Sequence, residues 1–272
     1  MRRKCGGSLM AFLYLLLATL TVSAESLSAG GTGSAEPLLR LLFEEFQKQN
    51  PTATLQQRSV LGSGGAIKAL RTGRVDLAIV ARRLTPEEAG AVGQPLALAE
   101  TPLVFASRDT QATAGFTLEQ LARVYAGQLQ TWQDGSPIRL ILRPSFESDT
   151  LLLRSMSPAM DRAVSAATLR PGMVTIDNDL DTVKLLAATP GSLGPTTLGL
   201  LKTSNTRLTI FSINGVPPSL ATLKDGSYPW RKQLSIVLPL QPSRLAMRFT
   251  AFLNSAAARR LLRRYDYLPS VP

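Results

Sequence analysis

The apolar residues of this chain recur at two spacings. Leu38, Leu39, Leu42, Phe43 and Phe46 repeat at helical intervals, with Glu44, Glu45 and Lys48 opposite, which predicts an amphipathic helix. Ser34 is placed to cap it, Pro37 stands near its first turn, and Asn50-Pro51 ends it. Shorter β-type runs flank it: Leu27–Ala29 before, Thr54–Val60 after. A second helix carrying Ile67 and Leu70 runs to Gly73, and a buried strand follows at Val75–Ala81. Strands alternating with helices predict an α/β fold with a largely parallel sheet.

The same reading continues downstream. Pro102–Ser107 predicts a strand that leaves the first unit. Thr117–Tyr125 predicts a helix capped by Thr117, with Leu118, Leu121 and Val124 on one face. A loop from Gly127 to Gly135 holds Trp132, and Arg139–Leu142 predicts a strand. Ser148-Asp149-Thr150 opens a helix bearing Leu151, Leu152 and Met156. Thr182–Ala188 predicts a helix and Thr189-Pro190-Gly191 a turn. Ser212–Tyr228 is rich in Pro, Gly and Ser and reads as loop. Leu234–Leu238 predicts a strand, and Arg244–Tyr265 a mostly helical end. There is no repeat at solenoid periods and no low-complexity tract.

The first residues follow a different logic. Arg2, Arg3 and Lys4 precede an apolar run from about Leu9 to Val22, and Val22-Ser23-Ala24 supplies a small-residue cleavage site. This is the pattern of a secretory signal peptide, residues 1–24, removed after Ala24. The run is about fourteen residues, short for a ~30 Å hydrocarbon core. The single cysteine, Cys5, lies within this leader, so the exported part relies on no disulfide, and no cysteine stands at the cleavage point to take a lipid. A free periplasmic protein is expected.

Composition narrows the function. The 272 residues carry a net charge of +11, of which Arg2, Arg3 and Lys4 leave with the leader. A basic exported protein suits an anionic ligand or surface, and export argues against nucleic acid. Arg259, Arg260, Arg263 and Arg264 cluster at helical spacing, which suits a solvated face or a partner contact. The chain has no histidine, which removes serine–histidine–aspartate hydrolysis and histidine metal sites. No paired acid/base signature replaces them, so no enzymatic activity, cofactor or metal is expected.

Three turns are suited to an anion. Gly31-Thr32-Gly33-Ser34, Gly62-Ser63-Gly64-Gly65 and Ser148-Asp149-Thr150 each sit ahead of or at the start of a predicted helix. Free N–H groups and the helix dipole there favour an oxyanion, glycine admits close approach, and hydroxyls add donors. Each turn alone also reads as an ordinary cap. In open α/β sheets such turns can converge at the carboxyl ends of strands. None matches the Gly-Lys-Ser/Thr ending of a nucleotide phosphate loop.

These residues resemble a known family. Ala29–Ser34, Gly62–Leu70, Gly73–Ile79, Phe116–Leu121 with Tyr125-Ala126-Gly127 and Trp132, Thr189–Gly194, Asn214–Pro218, Asp225–Pro229 and Tyr267-Leu268-Pro269 are similar in order and spacing to the periplasmic solute-binding proteins of phosphate ABC transporters. The resemblance implies a two-lobed type II periplasmic-binding fold, each lobe a mixed sheet flanked by helices. It implies lobe 1 from residues 25–104 and 233–272, lobe 2 from 105–232, and closure on a ligand like a hinged trap. The implied ligand is phosphate or a similar oxyanion. The implied partner is an ABC permease, served by a monomeric binding protein. The implied contacts are Gly31, Thr32, Gly33, Ser34, Gly62, Ser63, Gly64, Arg82, Arg143, Ser148, Asp149 and Thr150.

Two positions depart from the family pattern. Where the family has Arg-x-x-Gly-Ser-Gly-Thr, this chain reads Arg143-Pro144-Ser145-Phe146-Glu147-Ser148-Asp149-Thr150. A carboxylate at Asp149 either repels a dianion or accepts the hydrogen of a protonated phosphate. Ala81 replaces a polar contact, and Arg82 beside it either supplies charge to the ligand or forms an ion pair. A binding fold serving as an envelope sensor or interaction protein is the alternative to transport.

Overall fold

The computed structural model describes residues 25–58, 61–108 and 115–270; the leader and its cleavage site lie outside them. From the N-terminus come β1 (Glu25–Gly31), a single 3-10 turn (Gly33–Ala35), α1 (Glu36–Gln47), β2 (Ala53–Arg58), α2 (Gly62–Arg71), β3 (Leu77–Val80), α3 (Pro86–Ala89) and β4 (Leu96–Ser107). Next are β5 (Gly115–Phe116), α4 (Leu118–Tyr125), β6 (Arg139–Leu142), α5 (Ser148–Ser155), α6 (Pro158–Leu169), β7 (Val174–Thr175), α7 (Asp179–Ala188), β8 (Ser192–Thr197) and α8 (Leu198–Thr203). The chain closes with β9 (Thr209–Ile210), β10 (Ser212–Ile213), α9 (Leu220–Lys224), β11 (Arg231–Val237), α10 (Arg244–Leu253), α11 (Ala256–Arg264) and β12 (Leu268–Pro269).

The main sheet runs β2-β1-β3-β11-β4-β8-β6-β7. β1 is parallel to β2 and β3, and β6 is parallel to β7 and β8. β11 lies antiparallel to both β3 and β4, and β4 antiparallel to β8. The two long strands β4 and β11 therefore connect two parallel units, each with its own helices.

Each unit has its own core. In the first, Leu27, Leu77, Ile79 and Ile236 meet Leu38, Phe43 and Phe46 of α1 and Phe249 of α10. Ile67 and Leu70 of α2 cover the other sheet face against Ala78 and Val80. In the second, Leu103 and Phe105 pack with Leu121, Tyr125, Leu142, Met160, Phe211 and Tyr228, while Val104 and Ala106 turn to Val183 and Leu200. This odd–even split along β4 is the period-2 alternation of a strand covered on both faces. The α/β two-lobed expectation holds.

Several element boundaries differ from the sequence expectation, and two of the differences matter for function. α7 begins at Asp179 rather than Thr182, because Asn178 caps it and accepts from the Asp181 N–H. β11 begins at Arg231 rather than Leu234, because Lys232 pairs with Thr101 of β4 in register. On α5, Ser148, Asp149, Thr150 and Leu153 are buried, Leu152 and Met156 pack partly buried against the second core, and Leu151 is 43% exposed. Ser34 does not cap α1; it lies in the 3-10 turn, and the cap position falls on Ala35. The Pro/Gly-rich stretch contains α9, held by a capping box at Ser219. The C-terminal helix is two helices, broken at Asn254-Ser255, where Ser255 caps the second.

Phe249 is fully buried, with ring centroids 5.3 Å from both Phe43 and Phe46. Phe249→Ala is expected to cost about 3–5 kcal/mol in urea unfolding. A loss below about 1 kcal/mol would show that this aromatic cluster does not tie α10 to α1.

Candidate functional site

The carboxyl ends of the parallel strands of both lobes carry the polar residues of interest. β1 runs into Thr32, β3 into Ala81-Arg82, and β6 into Arg143. This is the edge at which open α/β sheets place ligands.

Arg143 and Lys232 form the cationic centre. Both are buried, at 2% and 0% exposure. Lys232 reaches the site because β11 alternates: Lys232, Leu234 and Ile236 face inward and Gln233 faces out. Its Nζ lies 2.7 Å from Asp149 Oδ1 and 2.8 Å from Asp179 Oδ1. Arg143 donates through Nη1 to the Ile176 carbonyl at 2.6 Å, which fixes the guanidinium. Its Nη2 lies 3.5 Å from both Asp179 Oδ2 and Glu147 Oε2. Its Nε, 3.9 Å from Asp149 Oδ2, has no hydrogen-bond partner among the described residues.

The carboxylates arrive on helix N-termini. Asp149 is in the first turn of α5 and Asp179 in that of α7, where the helix dipole favours negative charge. Burial pushes the Asp179 carboxyl up, but Lys232 and Arg143 outweigh it and hold it at about 2. Asp149 goes the other way: burial raises it, Lys232 offsets this only in part, and Asp179 raises it further. Burial likewise raises Glu147. Lys232 loses to burial but gains more from Asp149 and Asp179, so its ammonium is held more tightly than usual. Two cations thus face three carboxyl groups, and Asp149 and Glu147 are the ones that hold a proton more readily.

The first lobe closes over this cluster through its glycines. A methyl group on Gly33 would lie 3.1 Å from Asp179 Oδ2, and one on Gly62 would lie 3.6 Å from Glu147 Oε1. Gly33, Gly62, Arg143, Ser148, Asp149 and Thr150 are therefore brought together across the two lobes. The remaining expected contacts, and the Thr150 hydroxyl, have protein partners. Gly31 lies inside the β1–β3 pairing, where a methyl group would come 2.3 Å from the Ile79 carbonyl oxygen. The Thr32 and Ser34 hydroxyls are 3.0 Å apart and bond each other. Ser63 Oγ accepts from the Ala81 N–H at 3.0 Å, and Thr150 Oγ1 donates to the Arg143 carbonyl at 3.1 Å. Gly64 backs onto Arg82, where a methyl group would stand 3.4 Å from Nη2. Arg82 itself makes a two-pronged bond to Glu88 at 2.7 and 2.8 Å, which draws the Glu88 carboxyl down to about 2. Of its two sequence readings, Arg82 realises the ion pair.

Asp179 and Lys232 are the candidate site residues that motif reasoning passed over, while Glu147 stands within the Arg143–Thr150 motif. Signals for the first two exist in the chain. Asn178 followed by acidic residues marks a helix start, and Lys232 sits two residues before Leu234 and four before Ile236 on the buried side of a strand.

Next to the cluster runs a groove of about 460 Å³, lined by Arg82, Leu84, Ala89, Glu100, Leu152 and Arg231, among others. It touches both lobes and the connecting strands. A cavity of only about 10 Å³ lies beside the first turn, lined by first-lobe residues such as Gly31, Thr32 and Arg58.

Two outcomes test the electrostatics. Lys232→Met leaves Asp149 without its close cation and Asp179 with Arg143 alone, and is expected to cost about 3–5 kcal/mol in chemical denaturation. Adding Asp149→Asn should restore much of that loss, and strictly additive losses would contradict the coupling. Because the Asp179 carboxyl is lowered in the folded state, its stabilisation is present above the ordinary carboxylate range of about 4 and fades as pH falls toward 2. The melting-temperature gap between wild type and Asp179→Asn should therefore narrow over that range, and a constant gap would contradict the assignment.

Similarity to known proteins agrees with this fold. The family model for the PBP superfamily domain matches residues 18–257. The chain is 25% identical over 238 residues to the phosphate-binding protein PstS of Bacillus subtilis, covering 85% of this chain and 75% of that one. It is 24% identical over 248 residues to the phosphate-binding protein PstS of Borreliella burgdorferi, covering 89% and 88%. Among solved structures, a putative phosphate ABC transporter substrate-binding protein with bound phosphate from Clostridium perfringens superposes with a TM-score of 0.76 at 17% identity, covering 90% of this chain and 99% of that one. With a lobe on either side of the charged cluster and a family match over most of its length, this chain belongs to the PBP superfamily.

Proposed function

We propose that this protein is an exported solute-binding protein that captures a small oxyanion, phosphate first, between its two lobes and delivers it to an ABC-type permease. One observation carries the reading. A buried guanidinium, Arg143, keeps an unshared N–H beside the N-terminus of α5, opposite Gly33 and Gly62 of the other lobe. Backbone N–H groups of Ser148, Asp149 and Thr150 together with Arg143 make a charge-assisted oxyanion cradle. The relatives named for phosphate binding support phosphate as the first ligand to try and favour transport over an envelope sensor.

The lobes divide in this proposal as residues 25–104 with 233–272, and 105–232. The first 24 residues act as a cleaved leader, and the protein works as a periplasmic monomer. Among the described residues no helix is long and apolar enough to cross a membrane. Binding, without chemistry on the ligand, is the activity.

Calorimetric titration of the chain from Glu25 with inorganic phosphate should give one saturable site, and sulfate serves as the comparison. Phosphate at a hundred times its Kd should also raise folded-state stability by about 2.7 kcal/mol. No heat and no thermal shift up to millimolar phosphate would overturn the phosphate reading. Arg143→Lys keeps the charge but loses the planar fork, and is expected to weaken binding at least tenfold.

A further inference from the structure

The cations that a bound anion would use already have occupants. Lys232 Nζ holds Asp149 and Asp179 at 2.7 and 2.8 Å, and Arg143 holds Asp179 and Glu147 at 3.5 Å. These carboxylate oxygens stand where the N-terminus of α5, the Arg143 guanidinium and the Gly33 turn converge, so they occupy the place of an oxyanion. Asp179 also fills the gap against Gly33 of the other lobe. A ligand bridging the two lobes would make the same contacts.

We propose that Asp149 and Asp179 are a built-in stand-in for the ligand anion, that they close the cleft when no ligand is bound, and that a solute oxyanion enters by displacing Asp149 from Lys232. This rests on the oxyanion-binding reading. It adds Lys232, on a strand connecting the lobes, as the ligand-contacting cation and Asp149 as its internal competitor. The roles of the two aspartates differ. Asp179 shares both cations and packs against Gly33, so it is the fixed member. Asp149 pairs closely with Lys232 alone, stands 3.9 Å from Arg143 Nε and lies next to Ser148. Its departure would free one ammonium position beside the unshared Arg143 N–H. Displacement needs no bond chemistry, since one anion replaces another at Lys232.

The proposal has a consequence that needs no ligand. The segment from Glu25 onward has no cysteine, so two can be introduced as sole labelling sites, Glu87→Cys on α3 and Leu151→Cys on α5. These flank the groove from opposite lobes, and both are exposed. Electron-spin distance measurements on the ligand-free protein should give one short, narrow distribution. In Asp149→Asn it should become longer and broader, and Asp149→Gly serves if the asparagine variant folds poorly. An unchanged distribution in both variants overturns the proposal.

Inorganic phosphate is then added. Return of the Asp149→Asn distribution to the wild-type distance, with affinity at least tenfold tighter than wild type, supports both the proposal and the phosphate reading. A lengthened distribution that phosphate leaves untouched supports the internal closure and overturns phosphate as the ligand. Asp149→Asn binding phosphate more weakly than wild type overturns the competition. In the charge-balanced Lys232→Met, Asp149→Asn double variant, phosphate should neither bind nor shorten the distance. A response equal to that of Asp149→Asn alone removes Lys232 as the contact.

Discussion

A lysine with no exposed surface sets the terms for the rest of this molecule. Lys232 must be neutralised where it lies, since an unpaired ammonium in a protein interior is costly. It cannot reach water, because Asp149 of α5 and Asp179 of α7 enclose its ammonium on the buried face of β11. The carboxylates that neutralise it come from two helix N-termini, α5 and α7, of the second lobe. The pairing therefore fixes how that lobe sits on the connecting strands, and Asp179 in turn sits against the Gly33 turn of the first lobe. Breaking the pair strands a buried charge, whereas replacing both partners together is far less costly. That asymmetry is why ion pairs of this sort make poor sources of stability but good switches.

The fold was readable from the chain to a large extent, for a physical reason. The cores are built from residues whose periodicity is unambiguous, such as Leu38, Leu42, Phe43 and Phe46 on α1, and Arg139–Leu142 has the expected strand boundaries. Turns that require positive φ, such as Gly73 and Gly127, marked element ends correctly. The reading weakened where polar groups are buried. On α5 the sequence marks Ser148, Asp149 and Thr150 as an anion turn, but its apolar pattern does not reveal that all three are buried while Leu151 is exposed. A pattern argument assigns polar residues to solvent, and here tertiary charge pairing overrides it.

The same limit explains what was and was not legible in the site. The three glycine and hydroxyl turns announce themselves because backbone geometry demands particular residues. Their meaning is split in the folded protein: Gly33 and Gly62 face the charged cluster, whereas Gly31 is required by the β1–β3 approach and the Ser63 hydroxyl by the Ala81 N–H. Asp179 and Lys232 lie 53 residues apart and neither belongs to a motif. Only the topology brings them together. The oddity of Asp149 was visible in the sequence, but its partner was not, so repulsion and acceptance both stood as explanations. The structure supplies a third: the carboxylate forms an ion pair with a buried lysine, 2.7 Å from its Nζ.

The account depends on Asp149 and Asp179 sharing Lys232 in the ligand-free protein, with Asp179 held by Arg143 as well. Carboxyl-carbon NMR titration of the two aspartates measures this directly. The account predicts that Asp179 stays ionised down to about pH 2 while Asp149 takes up its proton above the usual aspartate range. Two independent titrations, both near the ordinary value of about 4, would contradict it, because carboxylates that titrate as if in water cannot be holding a buried lysine in place of a ligand.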